Sequence, residues 1–411
     1  MRAVEWCGKC LFIFLSISIV LLGVGHFELP LPGAQFSAWS VSRTVFFFWL
    51  IWKLFVWFRS GQRRSSLATN SVRLPLLIFL AVVTVSLLPT FRNSGDYRYF
   101  FFGCMHYLMV LDLFSAGNRT RLLLLLLALA PGFLVVRGIL YDSSFLDLSR
   151  MIRFGYPLDH PNTAGYLFSM SIPLALGVVA SETGRLRNLG VLSLALQGIG
   201  LVLTYSRGAW MASAASLLFI GVAAKRYKQV LSLLILAAFV FVLATPLKER
   251  FFSLMNPQGD DAINYRIRLM KDSFRLGVDH PVLGIGYGRG RLKESLRETY
   301  KGTINETNPI WHAHNVYIEL FAETGLLGLG AFLWLLSDSI YRTLQKAFHE
   351  QEPAMRIIHC AVLAALVAFM VAGLGDVPFY HHETRIYFFS LLALMHLGSY
   401  NRIESARAFD N

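Results

Sequence analysis

Charged side chains are scarce in this sequence. Lysine, arginine, aspartate and glutamate make up 15% of its 411 residues, whereas apolar residues make up 55%. A soluble domain of this size needs far more polar surface to cover its core. Apolar runs long enough to cross a bilayer recur instead along the whole chain. The composition therefore excludes a soluble globular protein and predicts an all-α, polytopic integral membrane protein.

Cysteine is also rare. The four cysteines are Cys7, Cys10, Cys104 and Cys360. The last two lie inside apolar runs, where cysteine behaves as a small hydrophobic residue. Cys7 and Cys10 form a CGKC motif, but no second pair completes a zinc site. We therefore expect no disulfide framework.

Motifs that hold a catalytic metal are missing too. The sequence has no HExxH, and it has no DxD pair to hold a divalent cation against a diphosphate. His312 and His314, together with His381 and His382, provide four imidazoles, but no thiolate or clear carboxylate partner accompanies them. We therefore expect neither a metal nor another cofactor.

The apolar runs predict about twelve spans in a single membrane domain that covers residues 1–411. Each approaches the ~20 residues that a hydrocarbon layer of ~30 Å requires. The spans are predicted near residues 10–25, 38–58, 72–89, 97–114, 121–140, 162–180, 187–204, 207–224, 229–246, 313–336, 357–376 and 384–400. The net charge of +13 does not indicate a nucleic-acid partner, because the basic residues lie in short segments between the spans.

Basic residues are distributed unequally between the two sets of short loops. Fourteen lie in one set, namely Arg59, Arg63, Arg64, Arg73, Arg119, Arg121, Arg185, Arg187, Lys225, Arg226, Lys228, Arg342, Lys346 and Arg356. Six lie in the other set, namely Arg92, Arg98, Arg150, Arg153, Arg207 and Arg385. The positive-inside rule places the first set in the cytoplasm. Residues 247–312 then form a large loop on the opposite side, which is the periplasm in a bacterium.

Residues 262–276 of that loop predict an amphipathic helix. Its apolar side chains at helical spacing are Ile263, Ile267, Met270 and Phe274. Its basic side chains on another face are Arg268, Lys271 and Arg275. Such a helix lies on a membrane surface. Its basic residues, and Arg266, Arg289 and Arg291 nearby, suit either anionic lipid headgroups or an anionic ligand.

Arg207 lies in the motif TYSRGAW, at a tight turn between two predicted spans on the same external side. The neighbouring Tyr205 and Trp210 favour an anchor at the membrane interface. Arginine rather than lysine also suits bidentate binding of a phosphate. Both interpretations are open on the residues alone.

The stretch WHAHNVYIELFAETGLLGLG, residues 311–330, begins a predicted span yet carries several polar side chains. His314 can accept a proton near neutral pH, and Asn315 can cap the free N–H groups of the following helix. Glu323 lies about 13 Å further along the helix, so it faces the protein interior, where we expect a structural role. A base accompanied by fixed arginines suits transfer of a group from a phosphate-linked donor.

Taken together, these stretches resemble the O-antigen ligase family, whose superfamily includes O-antigen polymerases and bacterial protein O-oligosaccharyltransferases. His314 and Asn315, followed by nine residues and then GLLG at 325–328, match the family's H-N-x9-G-x-x-G pattern. YSRGAW resembles its helix-end arginine motif, and NYRIRLMKDSF followed by DHPVLGIGYG resembles its periplasmic-loop pattern. HPNTAGY at 160–166 and GLGDVPF at 373–379 are similar but less specific features.

The resemblance implies a GT-C-like fold and a metal-independent, inverting transfer of a glycan from undecaprenyl diphosphate to a sugar hydroxyl of lipid A–core. It assigns the general base to His314 and the binding of the diphosphate to Arg207 and Arg266. Further substrate-binding residues are expected at Asn315, Arg289, Arg268, Lys271 and His312. Gly325 and Gly328 are expected to permit close packing against another span. The enzyme is expected in the bacterial inner membrane, with its active site facing the periplasm.

Other functions remain open on the sequence. An O-antigen polymerase uses the same donor with a different acceptor. A protein O-oligosaccharyltransferase is expected to carry extra C-terminal sequence, which disfavours that branch. A transporter of lipid-linked glycans also needs basic external patches, but we expect its charges to spread through several spans and reach both faces. The grouping of polar residues on one side favours an enzyme over a transporter, and the polymerase is the closest alternative to the ligase.

Overall fold

The computed structural model describes residues 2–24, 27–28, 35–60, 74–88, 95–115, 118–141, 144–146, 152–155, 158, 160–223, 225, 228, 261–299 and 312–397. These residues form fourteen α-helices: α1 (Arg2–Val24), α2 (Ala38–Ser60), α3 (Leu74–Ser86), α4 (Gly95–Leu113), α5 (Arg119–Leu129), α6 (Gly132–Tyr141), α7 (Pro161–Ser181), α8 (Gly184–Leu203), α9 (Arg207–Ala223), α10 (Asp261–Asp279), α11 (Arg289–Thr299), α12 (Val316–His349), α13 (Pro353–Gly375) and α14 (His382–His396). Two antiparallel strands of two residues each, β1 (Phe27–Glu28) and β2 (Gln35–Phe36), join α1 to α2.

Five of the described helices are long and apolar enough to cross a bilayer, namely α2, α7, α8, α12 and α13. The bent pair of α5 and α6 makes a sixth if it counts as one span, and α1, α3 and α9 contain shorter apolar helices. The chain is thus a multi-pass α-helical membrane protein. The total of twelve spans stays a prediction, and the predicted span at residues 229–246 lies outside the described residues.

The span predicted at residues 121–140 is broken into two helices that meet at an angle of 40°. The break falls at Pro131, which has no N–H group to continue the helical hydrogen bonds. Polar side chains of α8 bond to the carbonyl groups at the end of α5: Gln197 Nε2 donates to Ala128 O at 2.7 Å and Ser193 Oγ donates to Leu129 O at 3.0 Å. Neighbouring helices thus satisfy the backbone groups near the break.

A second break lies within α12, which extends to His349 rather than ending near residue 336 as predicted. At Gly325 the backbone has φ 65°, a conformation that residues with a side chain rarely adopt. The loop between α10 and α11 enters this break, and its backbone exchanges hydrogen bonds with α12. Their donors and acceptors are Ile285 N to Ala322 O, Gly286 N to Glu323 O, Leu326 N to Pro281 O and Leu327 N to Val282 O. We call this pairing of residues 281–286 with residues 322–327 the interlock.

The interlock corrects the expectation that Gly325 packs against another span, whereas the same expectation for Gly328 stays a prediction. A Cβ atom on Gly325 would lie 2.3 Å from the backbone carbonyl of Val282, so Gly325 packs against the loop. A Cβ atom on Gly328 would meet the side chain of Thr324 in the same helix. Close helix packing occurs instead around α7, where Gly165 faces Ala209 of α9 and Gly177 faces Ala361 of α13.

Segments that the sequence places on one side of the membrane meet at one end of the helix bundle. Asp376, at the end of α13, bonds to Asn162 at the start of α7, and Asp96, at the start of α4, bonds to Arg289. At the opposite end, Arg121 bonds to Glu182. We call the end where α7, α9 and α12 begin the site end, because it holds the residues expected to carry chemistry.

Candidate functional site

His314 lies two residues before α12, in a tight turn. Its φ is 55°, so it adopts the left-handed conformation that costs energy for any residue with a side chain. Asn315 follows as the N-cap of α12, and its Oδ1 accepts hydrogen bonds from Tyr317 N and Ile318 N, both at 3.0 Å. Asn315 Nδ2 also donates to Leu374 O of α13 at 3.1 Å. The structure thus places Asn315 as a cap that joins two helices, which is one of its two predicted roles.

His314 is paired with Asp376. Oδ1 of Asp376 lies 3.2 Å from Nδ1 of His314 and accepts a hydrogen bond from Val377 N at 3.0 Å. Its Oδ2 accepts from Asn162 Nδ2 at 2.8 Å and from the Tyr166 hydroxyl at 2.6 Å. Each carboxylate oxygen therefore has two partners, and the Asp376 side chain is 8% exposed.

Positive charge near Asp376 keeps this carboxyl ionised. Burial alone would raise the pKa of Asp376, but the hydrogen bond and charge of His314, together with the Arg266 guanidinium, hold that pKa well below its usual range. Arg266 lies on α10, which packs against α12. Arg266 and His314, two of the predicted catalytic residues, thus both act electrostatically on this carboxylate, and His314 is in direct contact with it.

A second set of contacts links Asp376 to the segments before α7 and α9. His160 caps α7, where its Nδ1 accepts from Asn162 N at 3.1 Å. Burial and the nearby Arg153 lower the pKa of His160. Arg153 donates to Asn162 Oδ1 at 2.7 Å and to Thr204 O at 2.9 Å. Arg153 thereby joins the α7 end of the site to the turn that precedes α9.

Arg207 is the first residue of α9 and is partly buried. It follows a turn in which Tyr205 has φ 49°. The next residue, Gly208, faces the hydroxyl of Tyr166, because a Cβ atom there would lie 3.6 Å from it. The start of α9 therefore borders the hydroxyl that bonds to Asp376, and Arg207 lies at the same site end as His314 and Arg266.

His312, a predicted substrate-binding residue, is buried rather than exposed. Its side chain is 8% exposed, and its Nδ1 lies 2.7 Å from Oε1 of Glu319. Burial, together with the charge of Arg289, lowers the pKa of His312 to about 4, so that the imidazole is neutral at neutral pH. Its role in substrate binding stays a prediction, and its observed contact is with the protein interior.

The remaining predicted binding residues lie in two places. Arg289 is held by Asp96: its Nη2 lies 2.9 Å from Oδ1, and its backbone N donates to Oδ2 at 2.9 Å. Arg268 and Lys271 are exposed on α10. Lys271 lines a shallow groove of about 280 Å³ with Met270, Phe274, Arg275 and Ile318. Binding of substrate by these three basic residues stays a prediction.

This arrangement provides the groups that a general-base reaction needs. A carboxylate that faces Nδ1 of a histidine orients the ring and stabilises the imidazolium, which leaves Nε2 to accept a proton from a substrate. Within the described parts of the chain, no group of three His, Cys, Asp or Glu side chains is placed to hold a metal ion. Asp376 and Tyr166, which the sequence analysis did not single out, lie within GLGDVPF and HPNTAGY, so those motifs were the available signal.

A comparison with known families found a match in sequence. Residues 192–333, about a third of the chain, match the sequence model of a family described as O-antigen ligase. No protein with a curated description matches the chain. The matched segment contains Arg207, Arg266 and His314, so this part of the chain is similar in sequence to the O-antigen ligase family.

Proposed function

We propose that this protein is an O-antigen ligase, a glycosyltransferase that joins O-antigen polysaccharide from undecaprenyl diphosphate to a sugar hydroxyl of lipid A–core. The match of residues 192–333 to that family supports a ligase-type or polymerase-type reaction. The observation that carries the proposal is the convergence of His314, Asp376 and Arg266 within one site. In this proposal the protein lies in the bacterial inner membrane, and its site end faces the periplasm.

The reaction is a single displacement at the anomeric carbon of the donor glycan. His314 Nε2 takes the proton of the acceptor hydroxyl, and the hydroxyl oxygen forms the new bond to the anomeric carbon. The bond from that carbon to the diphosphate oxygen breaks, and its electron pair leaves with undecaprenyl diphosphate. Attack opposite the leaving group inverts the anomeric configuration. Asp376 stabilises the imidazolium that forms.

Two arginines stabilise the leaving diphosphate in this mechanism. Their planar guanidinium groups donate paired hydrogen bonds to phosphate oxygens, and their positive charge offsets the charge that develops there. We assign this role to Arg207 and Arg266, which lie at the site end on α9 and α10. Because the guanidinium groups supply the positive charge, the transfer proceeds without a metal, and we expect it to continue in EDTA.

Reconstituted transfer tests the proposal directly. Purified protein is incubated with lipid-linked glycan and lipid A–core, and the products are separated by gel electrophoresis and mass spectrometry. A ligase yields glycan joined to lipid A–core, and the product requires both substrates. Longer lipid-linked glycan without lipid A–core would identify a polymerase, and movement of intact donor across a vesicle membrane without either product would identify a transporter.

A further inference from the structure

Two carboxylates occupy one face of α12 directly after the candidate base. Glu319 and Glu323 are four residues apart, so they lie above one another on the helix surface. Neither residue is exposed to solvent. Buried carboxylates are costly and persist where they have specific partners. The proposed mechanism uses neither of them, so their partners indicate what they do.

Glu319 holds the segment that carries His314. Its Oε1 lies 2.7 Å from Nδ1 of His312, and its Oε2 accepts a hydrogen bond from Ala313 N at 2.8 Å. The residue that follows these two partners is His314, in the left-handed conformation with φ 55°. Such a conformation persists only when surrounding contacts hold it. The Glu319 carboxylate provides two of these contacts immediately before the strained residue.

Glu323 holds the segment that follows Asp376. Its carboxylate accepts a hydrogen bond from the hydroxyl of Tyr380. Tyr380 belongs to a short 3-10 helix, Pro378–Tyr380, and its backbone N donates to Val377 O at 3.0 Å. Val377 is adjacent to Asp376 and donates to its Oδ1. Glu323 is thus connected to Asp376 through the side chain of Tyr380 and the short 3-10 helix that contains it.

The two connections also contact each other. The rings of His312 and Tyr380 pack edge to face, with their centroids 5.3 Å apart. The backbone carbonyl of Glu323 accepts a hydrogen bond from Gly286 in the interlock. Both carboxylates therefore extend from one helical segment that the loop also holds in place.

We propose that Glu319 and Glu323 are positioning residues that set the distance between His314 and Asp376. Glu319 fixes the histidine segment, and Glu323 fixes the aspartate segment. The two carboxylates lie on the same face of α12. The segments that carry His314 and Asp376 are therefore both bonded to the same stretch of helix. This inference rests on the proposed function for its kinetic test, and a chemical test below is independent of that function.

Substitutions of Glu319 separate positioning from acid–base chemistry. Glutamine keeps the shape: its amide oxygen accepts from Ala313 N, and its amide nitrogen donates to His312 Nδ1 in the other tautomer. We therefore expect Glu319→Gln to keep most of kcat. Glu319→Ala removes both hydrogen bonds and is expected to lower kcat roughly tenfold to 10²-fold, with KM nearly unchanged, because small displacements of a base have effects of that size.

Tyr380→Phe tests the second connection without removing a carboxylate. It deletes the hydrogen bond to Glu323, and we expect it to lower kcat in the same way as Glu319→Ala. The control is Glu298→Ala, which removes an exposed carboxylate from α11 and is expected to change neither constant. Equal losses in Glu319→Gln and Glu319→Ala would assign the role to the carboxylate's charge or proton and overturn positioning. Full activity in both Glu319→Ala and Tyr380→Phe would overturn it as well.

Acylation of histidines by diethyl pyrocarbonate provides the independent test. Peptide mass spectrometry follows His314, which is 19% exposed, and compares it with the exposed His349 at the far end of α12. We expect Glu319→Ala to raise the acylation rate of His314 severalfold while His349 and Glu319→Gln stay at the parent rates. An unchanged His314 rate in Glu319→Ala would refute positioning. If the parent protein forms no joined product, the proposed function fails, and this comparison still decides the positioning.

Discussion

In the proposed mechanism most of the chemistry depends on single residues around Asp376. This carboxylate accepts hydrogen bonds from three side chains that come from distant segments. Asn162 and Tyr166 occupy Oδ2, and His314 occupies Oδ1 with the backbone of Val377. A carboxylate so fully bonded cannot readily turn away from the histidine. The carboxylate thereby fixes the orientation of the His314 imidazole. The chemical role of that imidazole can be tested by substituting His314.

Replacing His314 with alanine should nearly abolish transfer of glycan while the protein remains folded. A general base is typically worth about 10²–10⁴ in rate, and we expect a loss of that size in kcat. His349→Ala is the matched control, because it removes an exposed histidine from the other end of α12. Transfer is measured at matched expression, with binding of the donor lipid determined separately. Transfer at the parent rate by His314→Ala would place the base elsewhere.

Replacing Arg207 or Arg266 with lysine should weaken transfer substantially, although the charge is kept. Lysine loses the planar fork that pairs with two phosphate oxygens. Arg297→Lys is the control, because that residue is exposed on α11. Rate and donor affinity are measured for each variant by titration with the lipid-linked glycan. Parent activity in the lysine and alanine variants of both residues would leave them as interfacial anchors.

Acidification should destabilise the protein through His312. Burial lowers the pKa of His312 from 6.5 to about 4, so between these values the unfolded chain binds a proton that the folded chain does not. Stability therefore falls as the pH falls through this window, by roughly 2–3 kcal/mol for this residue at its lower limit. The depressed pKa of Asp376 acts in the same direction at lower pH. Thermal unfolding midpoints between pH 7 and pH 4.5 should fall less steeply in His312→Gln than in the parent.

The sequence predicted the local contacts of the site better than its distant ones. The cap formed by Asn315 follows from its position at the start of a helix, and it is observed. The pairing of His314 with Asp376 joins residues 62 positions apart, and that of Asn162 with Asp376 spans 214 positions. No spacing along the chain predicts such contacts, because they depend on how α7, α12 and α13 pack. The structure was needed to find Asp376.

At the scale of elements, both broken helices depart from the predicted spans for identifiable reasons. The break between α5 and α6 falls at Pro131. This proline is visible in the sequence, but hydropathy alone predicts a continuous span at residues 121–140. The break in α12 has no proline and depends on a glycine together with a loop from elsewhere in the chain. Hydropathy alone cannot reveal it, because the run that follows Gly325, residues 326–336, is almost entirely apolar and continues the span.

The interlock should depend sharply on Gly325. Alanine there would carry a side chain at φ 65°, with its Cβ atom 2.3 Å from the backbone of Val282. We expect Gly325→Ala to destabilise the protein by on the order of 3 kcal/mol, from conformational strain and displacement of the loop. The measurement is the thermal unfolding midpoint in detergent.

Gly330 provides the matched control for this substitution. It lies five residues further along α12, and a Cβ atom there meets no atom within 4 Å. We expect the free energy of unfolding of Gly330→Ala to stay within about 1 kcal/mol of the parent value, because alanine has a higher helix propensity than glycine. If the two alanine variants unfold at the same temperature, the observed interlock does not contribute to stability.

At the scale of the whole molecule, the orientation of the site end in the membrane matters most for function. The excess of basic residues in one set of loops predicts that the site end is periplasmic. Single cysteines at Glu298 and Asn188, in a chain whose four native cysteines are replaced by alanine, test it. Both positions are exposed, one on α11 and one on α8. An impermeant thiol reagent should label position 298 alone in intact spheroplasts. Labelling of position 188 alone would invert the orientation.

The interlock also sets an order of assembly during synthesis. Its four hydrogen bonds satisfy backbone groups of α12 that the break leaves without helical partners, and a bilayer offers no water to replace them. The partner segment, residues 281–286, precedes α12 in the chain and leaves the ribosome first. When Gly325 emerges, its partner segment has already been synthesised, and these four hydrogen bonds require no later segment. The first turns of α12, with Glu319 and its partners His312 and Ala313, can therefore adopt their final geometry before α13 and Asp376 are made.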